Sequence, residues 1–559
     1  CAAEFAAVTP YYYTTYECGS ESIGIDYVPN LSLRKKRRIV VIGSGPIRIG
    51  QGIEFDYGCV HAVGAIQDLG HEAIIINNNP ETVSTDFDTS DRLYFDPLTL
   101  ESVSEILLRE DAHGILLQFG GQTAINLALP LSNNLPHLSS LGLDLIMEGT
   151  TPEAVDEASD RERFESFAQR NDLRMPNGMT ASSPDQVREA VREIGYPVLI
   201  RPSYVLGGRG MEILSSNRQL ESYMQDAFLS PERPLLVDEY LGNAIELDVD
   251  AVSDGREILV GAIMEHLEEA GIHSGDSTCF IPPQNVSDDV LKQVDDWTRK
   301  IGLELGIVGC YNIQFAIRDK ILYVLEVNPR GSRTFPFVAK ATGVPLARIA
   351  AMVALGEKLC NLNIPERQDE AVCVKAPVFP FIKLRGLDPA PGPEMKSTGE
   401  VMGSHERASA AYLKARLATE SPVPTEGGVY ITVKDSDKDS IITQAKSLIE
   451  LGFKIYATSG TASVLREKGG LDVETCYRIT EGLTPDALDL MRQGKIQLII
   501  NTPRNTGGAV LDGNMMRRLA VELNIPFVTT MAGARMEVLA IAEAMDGIPE
   551  PRLLNIRSL

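Results

Sequence analysis

The chain has 559 residues, and at about 150 residues per domain that leaves room for three or four domains, each with a core of its own. Hydrophobic residues make up 44% and charged residues 23%, an ordinary globular balance that excludes disordered, collagen-like and disulfide-scaffold chains. Fifty-two Lys and Arg against 77 Asp and Glu give a formal charge of −25, which repels a nucleic-acid backbone or an anionic bilayer and leaves any anionic ligand to local groups.

The opening CAAEFAAVTPYYYTTYECG lacks an initiator Met, a basic n-region and a continuous apolar h-region, so it is expected to be the interior of a longer chain rather than a signal peptide. Arg34-Lys35-Lys36-Arg37-Arg38 reads either as a nucleic-acid patch or, against the overall charge, as a solvated linker. Ile39 to Ile42, closed by Gly43-Ser44-Gly45-Pro46, then a helix-compatible stretch and Ala73 to Ile76 predict an α/β beginning. Gly114 to Phe119 predicts another strand, running into Gly120-Gly121-Gln122-Thr123 and a helix, and the unit is expected to end near residue 148.

From 149 to 345 the pattern becomes paired strands around helices, in YPVLIRPSYVLGGRGMEI, LLVDEYLGNAIELDVDAV and NIQFAIRDKILYVLEVNPR, with antiparallel turns such as Arg318-Asp319-Lys320. Pro389, Pro391, Pro393, Pro422 and Pro424 with Gly427-Gly428 mark an irregular connection. GVYITV, SIITQAKSLIELG and FKIYATSG then begin a second α/β unit. No run approaches the roughly 18 apolar residues of a membrane span. The eight cysteines form no C-x-x-C pair, so no zinc site or disulfide framework is signalled and a reducing, cytoplasmic setting is expected.

The first glycine loop is a poor dinucleotide fingerprint, because Arg48 stands at the third glycine position and the next strand ends in Asn77-Asn78-Asn79-Pro80 instead of an acid. It is either a small-anion site or a tight strand-to-helix turn. Gly207-Gly208-Arg209-Gly210, between two strand-like runs, can lay backbone N–H groups over a polyphosphate. Arg201, inside an apolar strand, is either a ligand contact or one half of a buried ion pair. Glu326, Asn328 and Arg330 alternate, which predicts one face carrying two oxygen ligands and a guanidinium, with Gln314 opposite on the preceding strand. Oxygen donors with few carboxylates suit Mg²⁺, and Arg330 and Arg333 can neutralise charge on a transferring phosphoryl group. The competing reading is an exposed polar strand face. His273 is either a surface residue or a ligand donor, and no nucleophile–base set is apparent.

GSGPIRIGQGIEFDYGCVHA, INNNPETVSTDFDTSDRLYF, GGQTAINLA, DRERF, RPSYVLGGRGMEI, MEHLEEAGIHSGDS, NIQFAI and LEVNPR together resemble the C-terminal half of the carbamoyl phosphate synthetase large subunit. The resemblance implies a multidomain α/β and α+β chain. It divides into a remnant of an oligomerisation domain (1–35), a Rossmann-like pre-ATP-grasp domain (36–148), an ATP-grasp domain (149–383), a linker (384–428) and a methylglyoxal-synthase-like allosteric domain (429–559). It also implies ATP-dependent phosphorylation of carbamate to carbamoyl phosphate, using Mg²⁺ or Mn²⁺ and leaving room for K⁺. That step belongs to synthesis from bicarbonate, glutamine-derived ammonia and two ATP, feeding pyrimidine and arginine biosynthesis. A glutaminase small subunit and the N-terminal half are the implied partners, in an oligomer with neither nucleic acid nor membrane.

Carried over by position, Arg161, Arg201, Gly207, Gly208, Glu239, Leu241, Glu246, Gly271, Ile272, His273, Ser274, Gln314 and Glu326 are implied nucleotide contacts. Gln314, Glu326 and Asn328 are implied metal ligands, and Arg330 and Arg333 catalytic. Lys438, Thr458, Thr461, Arg478, Asn501 and Thr502 are the implied pocket for a nucleotide monophosphate effector, the alternative being a capped helix start without a ligand. Glu268, Asp276 and Glu400 match an ornithine site, but Val528 stands where bacterial members carry an acid, so activation by ornithine is not implied. Two other readings stay open: a different ATP-grasp carboxylate ligase, and a nucleotide-binding regulatory module without turnover.

Overall fold

The computed structural model describes residues 11–13, 36–202, 207–226, 234–367, 371–381, 383, 388–502 and 508–547. In the first unit β1 (Tyr11–Tyr12), β2 (Arg38–Ile42), β3 (Glu72–Ile76), β4 (Arg92–Tyr94), β5 (Gly114–Leu116) and β6 (Ile146–Glu148) form a parallel sheet in the order β1-β4-β3-β2-β5-β6. Ile39 and Val41 join one core and Val40 and Ile42 another, so β2 is covered on both faces and reads as an unbroken apolar run.

Two expectations change here. Tyr11–Tyr12, assigned to a preceding domain, is an edge strand of this sheet, with the Tyr12 ring stacked 5.1 Å from Tyr94; 1–10 and 14–35 lie outside the described residues. The basic run is only partly a solvated linker where it is described: Lys36 is exposed, while Arg37 pairs with Glu148 and the buried Arg38 with Asp111. Arg34 and Lys35 lie outside the described residues.

The second sheet is small and antiparallel, β7-β10-β8-β9, from β7 (Gly178–Ala181), β8 (Val198–Pro202), β9 (Glu212–Leu214) and β10 (Leu235–Glu239). The third has seven antiparallel strands in the order β15-β14-β11-β12-β13-β16-β17: β11 (Ile245–Asp254), β12 (Ile258–Glu269), β13 (Cys279–Ile281), β14 (Val308–Arg318), β15 (Ile321–Asn328), β16 (Val372–Val378) and β17 (Gly399–His405). Asp319 and Lys320, with φ of 54° and 64°, make the tight β14–β15 turn whose twist matches the strands.

LLVDEYLGNAIELDVDAV is not one paired unit: β10 joins the second sheet and β11 the third, with Asn243 at φ 57° in the turn between them. This division leaves a cleft between the two sheets. Nor is 384–428 merely a linker, since β17 pairs along β16 and is followed by the Ala408–Ala418 helix. The prolines confine irregular backbone to 388–398 and 421–427.

The fourth sheet is parallel, β20-β19-β18-β21-β22, from β18 (Gly428–Thr432), β19 (Lys454–Thr458), β20 (Glu474–Cys476), β21 (Leu498–Asn501) and β22 (Phe527–Val528). Among the described residues no single helix is long and apolar enough to cross a membrane.

Candidate functional site

A cleft of about 470 Å³ opens between the second and third sheets. All sixteen residues singled out for nucleotide, metal and phosphoryl contacts line it: Arg161, Arg201, Gly207, Gly208, Glu239, Leu241, Glu246, Gly271, Ile272, His273, Ser274, Gln314, Glu326, Asn328, Arg330 and Arg333. Register explains much of this convergence. Asp248, Gln314 and Glu326 stand opposite one another across β11, β14 and β15, and so do Asp250, Asn312 and Asn328 one row further along. Alternation then puts both rows on the face toward the cleft.

Glu326 and Asn328 touch, the Asn328 amide donating to Glu326 Oε1 at 2.9 Å. Arg330 lies just past the end of β15, off the expected strand face, yet it stays with them by donating to Asn328 Oδ1 at 3.1 Å and to Gln122 Oε1 at 3.2 Å. Arg333 reaches the other way, to Glu54 in the first unit at 2.8 Å. The turn bearing both arginines is pinned from below, because Ser332 and Thr334 hydroxyls donate to Asp250 at 2.7 and 2.6 Å and Asn312 adds a third donor at 2.9 Å. Burial pushes the Asp250 carboxyl up to about 7 despite those donors.

Arg201 makes the ion pair and also lines the cleft. It pairs with Asp238 at 3.0 Å, Arg161 takes the other Asp238 oxygen at 3.0 Å, and all three line the cleft. Arg201 also stands 3.8 Å from Glu326, so it ties the second sheet to the oxygen donors of the third. Glu239 is held by Arg318 at 2.7 Å and Asn177 at 3.1 Å, and Glu246 accepts the Gly271 N–H at 3.3 Å.

His273 is partly buried and lines the cleft. Burial first, and then Arg333, lower its pKa to about 3, so the imidazole is neutral at physiological pH. Its Nδ1 accepts the Gly275 N–H at 3.0 Å, which places the ring proton on Nε2. Ser274 Oγ accepts from Gln314 Nε2 at 3.2 Å, which leaves the Gln314 carbonyl oxygen for another partner. The glycine hairpin has φ of 62° at Gly207 and 68° at Gly208, and a Cβ on Gly208 would lie 2.0 Å from Pro393 O. Only glycine fits that close approach.

Sequence reasoning missed Asp238, Asp248 and Asp250. The signals were present: an acid inside the apolar run of β10, and Glu246-Leu247-Asp248-Val249-Asp250 with three acids at period two. It also missed His266, buried 3.1 Å from Asp248 behind the cleft wall; nothing in its sequence neighbourhood announces that contact.

A second, smaller cleft of about 60 Å³ in the fourth unit is lined by Lys438, Thr458, Thr461, Arg478, Asn501 and Thr502. β19 runs straight into the Ser459–Glu467 helix, so its first-turn N–H groups face this cleft. Lys438 pairs with Asp435 at 2.7 Å, and Thr502 Oγ1 accepts the Lys434 N–H at 2.9 Å. Of the ornithine-site matches, Asp276 is spent on the Lys396 and Ser397 N–H groups at 2.8 and 2.9 Å, while Glu400 stands 3.8 Å from Lys375.

Gln314, Glu326 and Asn328 offer oxygen only, and among the described residues no three His, Cys, Asp or Glu gather as a metal site. That donor set fits a hard cation sharing its shell with phosphates and water, and it does not fit zinc.

A glycine hairpin over a cleft between a small and a larger antiparallel sheet, behind a parallel first unit, defines an ATP-grasp protein. Family models agree: the carbamoyl phosphate synthase preATP-grasp domain matches residues 35–157, the carbamoyl-phosphate synthase L chain ATP binding domain 160–362, and the MGS-like domain 440–529. The chain belongs to the carbamoyl phosphate synthase large-chain family. It is 50% identical over 550 residues to the large chain of Methanothrix thermoacetophila, covering 98% of this chain and 50% of that one. It is 49% identical over 563 residues to the large chain, C-terminal section, of Methanocaldococcus jannaschii, covering 98% and 89%. The chain thus spans about half the length of the full-length relatives it matches. An N5-carboxyaminoimidazole ribonucleotide synthetase in its ADP complex shares the fold at TM-score 0.53 and 14% identity, over 69% of this chain and 96% of that one. So does a biotin carboxylase from Campylobacter jejuni, at TM-score 0.52 and 14% identity, over 68% and 90%.

Proposed function

We propose that the chain phosphorylates carbamate with ATP, giving carbamoyl phosphate and ADP, as the second half of a carbamoyl phosphate synthase large subunit. One observation carries the reading: the oxygen donors Gln314, Glu326 and Asn328 and the guanidinium groups of Arg330 and Arg333 line the same cleft as Gly207 and Gly208. Arg161, at the start of the Arg161–Arg170 helix, and Arg201, on β8, are both held by Asp238 and present cations to the cleft. Neutral His273 offers an N–H from Nε2. Mg²⁺, with Mn²⁺ as a substitute, would be held by Gln314, Glu326 and Asn328 and would draw charge from the β- and γ-phosphates.

Among the described residues no side chain in the cleft is arranged as a nucleophile with a base; carbamate itself attacks and the protein supplies position and charge. Arg330 and Arg333, fixed by Asn328, Gln122 and Glu54, keep their charge without reorganising as the phosphoryl group moves. We infer from the family a glutaminase partner that supplies ammonia and an N-terminal half that makes the carbamate. The small cleft is read as the seat of a nucleotide monophosphate effector, because its lining combines Lys438, Arg478, threonine hydroxyls and a helix N-terminus.

The test is the reverse partial reaction with this chain, ATP formation from MgADP and carbamoyl phosphate. ATP appearing in proportion to enzyme supports the reading. A folded chain that binds ADP and makes no ATP refutes turnover by the isolated chain, and ADP release driven by another carboxylate would identify a different ligase.

A further inference from the structure

Arg517, on the Gly508–Glu522 helix, is 3% exposed and has two sets of partners. Its Nη1 donates to Asn501 Oδ1, on the wall of the small cleft, at 2.6 Å. Its Nε and Nη2 donate to the two oxygens of Asp388 at 2.9 and 2.6 Å. Such a two-pronged pair fixes direction as well as distance. Burial pushes the Asp388 carboxyl up and Arg517 more than offsets it, so its pKa ends below the usual aspartate value. Asp388 itself lines neither cleft.

From Asp388 the chain runs without helix or strand to Ser397, over the roof of the large cleft. Asp388 Oδ1 accepts the Ala390 N–H at 3.0 Å, and Lys396 Nζ donates to Ala390 O. The His273 N–H donates to Gly392 O at 2.9 Å, and the Met395 N–H donates to Gly207 O at 2.9 Å. The Lys396 and Ser397 N–H groups clamp Asp276, three residues beyond His273. Pro393 O occupies the space denied to a side chain on Gly208. One short strap therefore holds both backbone segments that close over the nucleotide cleft, and its far end is gripped from the regulatory unit.

We infer that the Asp388–Ser397 strap is a positioning element for Gly207 and His273, and that Arg517 makes its grip depend on occupancy of the small cleft. This rests on the reading of that cleft as a nucleotide monophosphate site. An anion drawn to Asn501 competes for, or strengthens, the contact that orients Arg517, and the change reaches the glycine hairpin through Asp388 and the strap; the Lys434–Glu269 pair, with the Lys434 N–H on Thr502, is a second link between the units that Asp388→Asn leaves in place. Coupling between such sites is typically about 5- to 150-fold in affinity.

The deciding variant is Asp388→Asn, which removes the charge-assisted pair and touches no cleft residue. Uridine 5′-monophosphate serves as the effector probe and MgADP as the cleft probe, both by calorimetry. In the unmodified chain, saturating uridine monophosphate should change the MgADP affinity at least about fivefold. In Asp388→Asn the change should fall below about twofold while the affinity for uridine monophosphate alone stays within about threefold. A variant that keeps the full coupling factor overturns the inference and leaves the small-cleft reading intact. Failure of uridine monophosphate to bind the unmodified chain overturns that reading and the regulatory part of the inference with it. Hydrogen exchange tests the strap independently: the amides of His273 and Met395 should exchange faster in Asp388→Asn, and unchanged exchange at both shows that the strap does not position the roof.

Discussion

Gln314 and Glu326 stand directly opposite each other in the β14–β15 pair, at the last position before the ladder slips and Leu325 is left over as a bulge. A bulge re-aims side chains locally, and beside it Glu326 lies against Asn328 and 3.8 Å from Arg201. Glu326→Gln keeps shape and hydrogen bonding but removes the one carboxylate among the proposed ligands. Metal-dependent ATP formation in the reverse reaction should fall by more than the roughly 10- to 100-fold that loss of an outer-shell partner costs. The far-ultraviolet circular dichroism and the denaturation midpoint should stay near the unmodified values, since the side chain is 40% exposed. Unmodified rates would remove Glu326 from the ligand set.

Much of this cleft could be read from the sequence, for a physical reason. Period-two alternation in β15 announces which residues share a face, and a glycine cluster between two strands announces a backbone that must approach something closely. What could not be read is how strands are shared out between sheets. Nothing local in Leu235–Asp254 separates a hairpin from two strands in different sheets, and the cleft exists because β10 and β11 part company. The Pro-rich stretch shows the same limit: its prolines correctly mark irregular backbone, but irregular backbone packed on the cleft roof differs from a free linker only in long-range contacts such as Met395 to Gly207.

Asp250 gives a pH signature. Its native pKa is raised by burial to about 7 from an ordinary 3.8, so between those values the folded chain binds a proton that the unfolded chain has released. The stability tied to that proton is complete below about pH 4 and lost as pH rises through about 7. Glu246 and Glu268, each also raised to about 7 by burial, act in the same direction. The urea midpoint should therefore decline from pH 5 to pH 8, and Asp250→Asn should flatten the profile while lowering the midpoint, because the Asn side chain has one oxygen where Ser332 and Thr334 use two. An equally steep profile in the variant would show that Asp250 does not carry the protonation.

Thr461 tests the small cleft without disturbing its architecture. It sits in the first turn of the helix after β19, 2% exposed and facing the cleft. Removing one hydroxyl that donates to a phosphate costs about 1.5–3 kcal/mol, so Thr461→Ala should weaken uridine monophosphate binding roughly 10- to 150-fold by calorimetry. MgADP affinity measured without effector should stay put. Equal affinity for uridine monophosphate in both chains would count against phosphate binding at this helix start.

Gly208→Ala probes the roof. The φ of 68° already disfavours any side chain, and the new methyl would meet Pro393 O, a backbone atom that cannot swing aside. Either the hairpin lifts or the strap shifts, and both separate the roof from the metal end of the cleft. The strain of such positions is about 1–3 kcal/mol, so MgADP should bind roughly 5- to 150-fold more weakly. The urea midpoint should move little, because the hairpin borders the cleft and adds nothing to the apolar cores. A loss confined to MgADP affinity identifies Gly208 as a binding element. Unaltered affinity would mean that the hairpin does not close over the nucleotide, and would leave Arg161 and Arg201 as the cations facing it from this side of the cleft.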